Sequence, residues 1–312
     1  MKNDVAGDPI TGLKWCRKTP GKIAEKLELH GINVSGKTVG TILKKMGFSL
    51  RVNQKVISSG GKKLTKEEKI DRNNQFDYIA KLREESAENR IPVISVDTKK
   101  KEKIGNFKNE GATYERQGKS TYDHDFESYA TGKFIPYGVY DTVCNLGTIF
   151  GGVSADTPLF AVEAIEKRWR YEGKKRYPKA HSIYILADAG GSNGYRSRAW
   201  KYEIQNKLCD IHGLSVTISH YPAGSSKWNP IEHRLFSEIS KNWQGEPLVS
   251  YEKALNFIKT TKTSTGLKVK VHLVDKDYEK NVTISDKEMK SISLERHNVM
   301  PKLNYTITPR IG

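Results

Sequence analysis

Three acidic residues far apart in the chain, Asp97, Asp188 and Glu232, occupy positions from which oxygen ligands could gather around a cation. Asp97 closes the apolar run IPVISVD and Asp188 closes HSIYILAD, and ligand sites of open α/β sheets lie beyond the carboxyl ends of strands. Taken singly, each is also what a strand terminator looks like, because Asp forms turns readily. Glu232 belongs to NPIE, where Asn229 as N-cap, Pro230 as first helical residue and Glu232 as the return acid of a capping box account for the pattern without chemistry. At roughly 100° per residue, however, Ile231, Leu235, Phe236, Ile239 and Trp243 span an arc of about 140°, and Glu232 falls inside it. His233, Arg234 and Lys241 fall opposite, and Glu238 lies at the edge. A carboxylate facing a core is costly unless it is paired or bound to metal. Three converging carboxylates supply what a hard divalent cation takes: oxygen ligands and negative charge, with positions left for water and phosphate. Two such ions about 4 Å apart serve an in-line displacement at a phosphodiester.

The elements that must carry these acids are legible from Ile91 onward. IPVISVD, IPYGVYDTV and LGTIFGGVS read as three strands, TPLFAVEAIEKRWRYEG as a helix and HSIYILAD as a strand. SRAWKYEIQNKLCDIHG follows as a helix, LSVTISHY as a strand and NPIEHRLFSEISKNW as a closing helix. The order β-β-β-α-β-α-β-α is that of a ribonuclease H-like fold, an α/β mixed sheet flanked by helices. Upstream, a helix is predicted from about Thr65 to Glu88, after the linker-like SSGGKKLTKEEK. In residues 1–55, Thr19 is placed to cap a helix with Pro20 at its first position and Ile23 and Leu27 on one face. Ser35 is placed to cap a second, with Val39, Ile42, Leu43 and Met46 as its stripe. Helix, glycine-containing turn, helix predicts a small helix-turn-helix module. The expected division is therefore 1–55 helix-turn-helix, 56–90 basic linker and helix, 91–250 ribonuclease H-like domain and 251–312 carboxy-terminal extension.

Gly31 to Thr38, GINVSGKT, matches the phosphate-loop pattern G-x-x-x-x-G-K-[ST]. That pattern works only between a buried strand and a helix, and the residues before Gly31 read as a helix, which argues against an ATPase. The formal charge of +17, with 53 Lys and Arg against 36 Asp and Glu, points to a polyanionic partner, nucleic acid first. Eight basic residues and no acid lie between Ser35 and Lys66. Cys16, Cys144 and Cys209 form no CxxC pair, so no disulfide framework is expected and a reducing cytosol fits; Cys209 with His212 lacks the second pair a zinc site needs. The first ten residues are too polar for a signal peptide, and no run approaches the ~20 apolar residues of a membrane span.

ISVDTKKKEKIGNFKNEG, IPYGVYD, ADAGGSNG, SSKWNPIEHRLFS and LERHNVMPKLNYTITP together resemble the ISAzo-group, or Rhodopirellula-type, DDE transposases of insertion sequences. The resemblance implies a ribonuclease H-like core, DNA cleavage and strand transfer, and a triad of Asp97, Asp188 and Glu232. It also implies dependence on two Mg²⁺ ions, with Mn²⁺ able to substitute. Ala189 stands where glycine is usual, the tail lacks a tryptophan often found before NYT, and in similar proteins GDPITGLKW follows additional amino-terminal residues.

For DNA, the candidates are Lys37, Thr38, Thr41, Lys44 and Lys45 on the second helix, away from its apolar stripe. Beside the acids they are Lys99, Lys100 and Lys101, Asn193 within GGSNG, Lys227, and Trp228 as a stacking platform. For Trp228 a core or helix-staple role is favoured over stacking on this reading, and His220 and His233 are taken as spectators. The expected partners are transposon ends and target DNA, with a homo-oligomer on DNA, no membrane, and a cytoplasmic, nucleoid-associated location. The alternatives are a non-catalytic repressor derived from a truncated transposase, and a structure-selective nuclease of the same fold.

Overall fold

The computed structural model describes residues 5–7, 14–16, 19–47, 65–112 and 118–310. The chain divides into two compact units, Met1–Ile57 and Ser58–Gly312. In the first, β1 (Val5–Gly7) pairs antiparallel with β2 (Lys14–Cys16), a pairing that the sequence reading did not anticipate. α1 (Pro20–Glu28) begins where Thr19 Oγ1 accepts a hydrogen bond from the Lys22 N–H, with Pro20 at the position whose N–H is not needed. α2 (Gly36–Lys45) begins where Ser35 Oγ accepts from the Thr38 N–H at 3.1 Å. GINVSGKT therefore joins helix to helix, and no strand enters it. The expected apolar stripes are only partly covered: Ile23 and Val39 are buried, whereas Ile42 and Met46 are 46% and 64% exposed. Two short helices shield little beyond the line along which they meet.

In the second unit, α3 (Lys66–Glu88) opens on a complete capping box. Thr65 Oγ1 accepts from the Glu68 N–H at 3.1 Å, and Glu68 Oε2 accepts from the Thr65 N–H at 2.7 Å. Then follow β3 (Val93–Thr98), β4 (Glu102–Ile104), β5 (Gly132–Asp141), β6 (Leu146–Gly152) and α4 (Pro158–Arg168), which runs through a π-helical turn into α5 (Lys174–Arg176). β7 (Ser182–Ala187), α6 (Arg198–Ile204) with a π-helical continuation to Asp210, and β8 (Ser215–His220) come next. A π-helical turn, Glu232–Phe236, leads into α7 (Ser237–Asn242), followed by α8 (Tyr251–Thr260), β9 (Lys268–Val274), α9 (Asp286–Lys290), β10 (Leu294–Arg296) and β11 (Asn304–Ile307).

These strands form one nine-stranded mixed sheet in the order β10-β11-β8-β7-β3-β5-β6-β9, with β4 paired beside β5. β3, β7 and β8 are parallel, and β5 is antiparallel to both β3 and β6. This is the ribonuclease H-like α/β arrangement implied by the element order. Residues 251–312 extend it at both edges: β9 lies parallel to β6, and β11 pairs antiparallel with β8.

Helices cover both faces, which is why the central strands are almost continuously apolar. On one face Ile94, Val96, Val139 and Ile185 pack against Phe160 and Ile165 of α4 and Trp200 of α6. On the other, Phe134, Tyr140 and Ile149 meet Ile231, Leu235, Phe236 and Ile239, while Val93, Tyr184 and Leu186 meet Ile79 of α3. A buried amide pair ties α3 to the far edge. Gln75 Nε2 donates to Asn304 Oδ1 at 2.9 Å, Asn304 Nδ2 donates to Gln75 Oε1 at 2.6 Å, and Gln75 Nε2 also reaches the His220 carbonyl.

Candidate active site

Alternation along the strands aims the two aspartates. Val93 and Ser95 precede Asp97 at even spacing, Tyr184 and Leu186 precede Asp188 in the same way, and Val93, Tyr184 and Leu186 share the α3 side of the sheet. β3 and β7 are in parallel register through Val96↔Ala187. The next residues are Asp97, still on β3, and Asp188, directly past the end of β7, so the two acids emerge side by side at one end of the sheet.

Glu232 reaches the same face from the helix that follows Pro230. Ile231, Leu235, Phe236, Ile239 and Trp243 are buried and His233, Arg234 and Lys241 are exposed, as the arc predicts, while Glu232, which the arc placed among the buried residues, is half-buried at the start of a π-helical turn. The helix lies against the sheet because β5 offers no side chain at Gly138, the cross-strand partner of Asp97: a Cβ there would stand 2.6 Å from Phe236 and 2.7 Å from Ile231.

The electrostatics join the three acids. Burial, then the Asp188 carboxylate, and further Glu232 and Asp156 push the Asp97 carboxyl up to about 8, against the opposing Thr98 N–H. Burial also raises Asp188, offset by a hydrogen bond from Asn229. Glu232 is raised by burial and by Asp188, while the nearby Asp97 carboxyl and the charge of Lys99 pull it back. An oxygen-only donor set rich in negative charge fits a hard divalent cation. The neighbouring lysines do not neutralise it directly: Lys99 Nζ pairs with Glu102 at 2.8 Å and Lys101 Nζ with Asp156 at 3.3 Å. Among the described residues, no group of three or more acids, histidines or cysteines is gathered closely enough to hold a metal ion as it stands. Asp97, Asp188 and Glu232 are close enough to raise one another's carboxyls by charge.

Asp97, Asp188, Asp156, Lys100, Lys101 and the Gly190–Gly191 backbone line an open cavity of about 550 Å³. Asp156 is the acid that the sequence reading missed. β6 runs parallel to β3, so the segment that follows it emerges at the same sheet end; Thr98 Oγ1 donates to Asp156 Oδ1 at 3.0 Å. Its signal was present in LGTIFGGVSADTP, an acid just past an apolar strand and just before a capped helix.

Several expectations change. Lys99, although it contributes to the cavity wall, is buried at 7% exposure, with its ammonium paired to Glu102 and 4.4 Å from the Trp243 ring centroid, so its charge is already partnered within the protein. Asn193 is 1% exposed, accepts from Ser192 Oγ and is turned under the loop, where it cannot serve as a surface contact. Asn229 does not cap its helix through its side chain, and the NPIE capping box is replaced by another network: Ser95 Oγ accepts the Ile231 N–H at 3.0 Å, while Asn229 Nδ2 donates to Asp188 Oδ1 at 3.1 Å. Trp228 is no core residue; it is 53% exposed, edge-on to Phe76, with Lys227 Nζ 5.5 Å from its ring centroid. Lys100, Lys101 and Lys227 are exposed, as are Lys37, Thr38, Thr41, Lys44 and Lys45 in the first unit. His220 is fully buried, and burial lowers its imidazole to about 4; it bridges the Asp188 carbonyl and the Tyr305 hydroxyl as a neutral ring. Cys209 and His212 are used separately, by the Ile307 carbonyl and by Glu166.

The sequence matches the family described as the Rhodopirellula transposase DDE domain over residues 1–309. The chain belongs to that family. Among solved structures, this family member is similar to the Mos1 transposase paired-end complex with left transposon end (16% identity, TM-score 0.44). It is also similar to the Mos1 mariner paired end complex with Mn (18%, 0.44) and the mariner Mos1 paired end complex with Mg (16%, 0.45). Each match covers 77% of this chain and 65% of the other, so the chain spans less than two thirds of those proteins' length. No curated protein matches. Among the described residues, no helix is long and apolar enough to cross a membrane.

Proposed function

We propose that the chain is a DNA transposase of the DDE type, which cleaves a strand at the end of an insertion sequence and joins the freed 3′-OH to target DNA. The observation that carries this reading is that Asp97, on β3, and Asp188, directly after β7, emerge at one end of the sheet and line one cavity, with Glu232 close enough for the charge of Asp188 to raise its carboxyl. These three are the catalytic and metal-holding acids of the proposal. Two Mg²⁺ ions bound there, or Mn²⁺ in their place, would supply the Lewis-acid chemistry of in-line phosphodiester displacement. The protein's own part is to hold three carboxylates at a water-accessible sheet end and to set Lys100 and Lys101 at the rim of the cavity, where DNA phosphates approach. Lys227 and Trp228, exposed just before the Glu232 helix, are placed to engage backbone and an unpaired base.

In the same reading residues 1–55 act as a helix-turn-helix that grips the element's ends through Lys37, Thr38, Thr41, Lys44 and Lys45. Residues 56–90 connect, residues 91–250 hold the catalytic core and residues 251–312 extend it. Pairing two ends calls for at least a dimer on DNA, and the work is done in the cytoplasm, at the nucleoid.

The test is an oligonucleotide cleavage and strand-transfer assay in Mg²⁺ and Mn²⁺. Asp97→Ala, Asp188→Ala and Glu232→Ala are each expected to lower the rate by about 10³-fold or more, in keeping with the several kcal/mol that metal-ion catalysis contributes, while DNA binding persists. Wild-type rates in any one of them reject the triad, and binding without cleavage under either metal selects the repressor reading.

A further inference from the structure

Asn229 is fully buried, and each polar atom of its side chain is used. Nδ2 donates to Asp188 Oδ1 at 3.1 Å and to the Val96 carbonyl at 3.3 Å, while Oδ1 accepts from Ser95 Oγ. The Ser95 hydroxyl has one proton to give, and it also accepts the Ile231 N–H at 3.0 Å. The amide orientation follows from that: flipped, Asn229 would set an oxygen against a carboxylate and a carbonyl and an NH₂ against a hydroxyl already holding a donor. A single residue thus touches β3, the end of β7 and the first turn of the helix that carries Glu232. Its neutral amide orients a carboxylate without cancelling the negative charge a dication needs, as a lysine or arginine in its place would.

We propose that Asn229 is a positioning residue of the acid site: it fixes one oxygen of Asp188, leaves the other to face the cavity, and through Ser95 sets the register of Glu232 against the two aspartates. The inference rests on the carboxylate reading above and assigns Asn229 no contact with DNA or with the reacting atoms. Partners that orient metal ligands from behind typically change affinity 10–100-fold when removed.

Mn²⁺ alone is the probe, titrated by electron paramagnetic resonance into the full-length protein without DNA. Asn229→Ala is expected to weaken Mn²⁺ binding by about tenfold or more. In an Asp188→Asn background the same substitution is expected to change it less than twofold, since the amide then has no carboxylate to orient. If Asn229→Ala does not fold, as judged by its thermal transition, Ser95→Ala is measured in the same two backgrounds, with a weakening of about threefold expected in the first only. Unchanged Mn²⁺ affinity, or an equal loss in both backgrounds, overturns the positioning role while leaving the acid site standing. Wild-type protein that binds no Mn²⁺ overturns both.

Discussion

At the scale of single residues, the acids are held at a cost in stability. Asp97 titrates near 8 in the folded protein, against about 3.9 for an unperturbed aspartate. The folded state therefore keeps a proton that the unfolded chain releases. This contribution to stability is fully present below about pH 4 and is lost as pH rises toward 8. In EDTA, Asp97→Asn is expected to raise the thermal midpoint above wild type, by several degrees at about 2–4 °C for each kcal/mol. The gap should widen between pH 6 and pH 8. Mn²⁺ should raise the wild-type midpoint more at pH 8 than at pH 6, because cation and proton compete for the same oxygens. Calorimetry at the two pH values decides it, and a gap that narrows with pH contradicts the assigned burial and repulsion. Nothing in the local sequence around Asp97 carries this information, since the shift comes first from burial under the tertiary packing and then from Asp188, Glu232 and Asp156, all distant in the chain.

At the scale of elements, the decisive contact is a helix laid across a strand. Gly138 faces Phe236 and Ile231, and Gly147, farther along the same sheet face, faces Leu235, at distances no Cβ tolerates: 2.6, 2.7 and 2.4 Å. Phe236 is 2% exposed and Ile231 and Leu235 are fully buried, so none has room to give way. Gly138→Ala is expected to destabilise by about 1–3 kcal/mol, the usual effect of overpacking. It should also lower strand transfer by up to about 100-fold, since a displacement of about 1 Å at a reacting site has that effect. Urea unfolding and the cleavage assay read the two quantities, and full activity in this variant would show that the seating of the helix does not control Glu232. The apolar arc was legible because helical periodicity is local, even though Glu232–Phe236 winds as a π-helical turn and not with the 3.6-residue period. Its seat was not, because glycines in IPYGVYD and NLGTIFGG mean a close approach only once the partner is known.

At the scale of the whole molecule, the two units divide the positive charge. In the first unit Lys37, Lys44 and Lys45 are exposed along α2 and Lys22 and Lys26 along α1, and many further cations are spread over the larger unit. If α2 meets phosphates, Lys37→Ala, Lys44→Ala and Lys45→Ala combined should lower the slope of log affinity against log salt, by about 0.9 for each phosphate that is no longer neutralised. Asp97→Ala should leave that slope unchanged. Fluorescence anisotropy across a salt series measures both, and an unaltered slope in the triple variant would remove α2 from the interface.

The amino-acid sequence by itself determined what depends on neighbours a few residues away. The caps at Thr19, Ser35 and Thr65, the strands that end at Asp97 and Asp188, and the arc that holds Glu232 all follow from periodicity and from which groups lack backbone partners. Only the tertiary structure decided which polar groups meet across the sheet. It turned Lys99 inward to Glu102, buried Asn193, brought Asp156 to the cavity, added β9 and β11 to the sheet edges and turned Asn229 from cap to clamp. Charge pairing and burial are properties of space, and residues such as Ser95 and Asn229, 134 positions apart, leave no spacing in the chain by which to find each other.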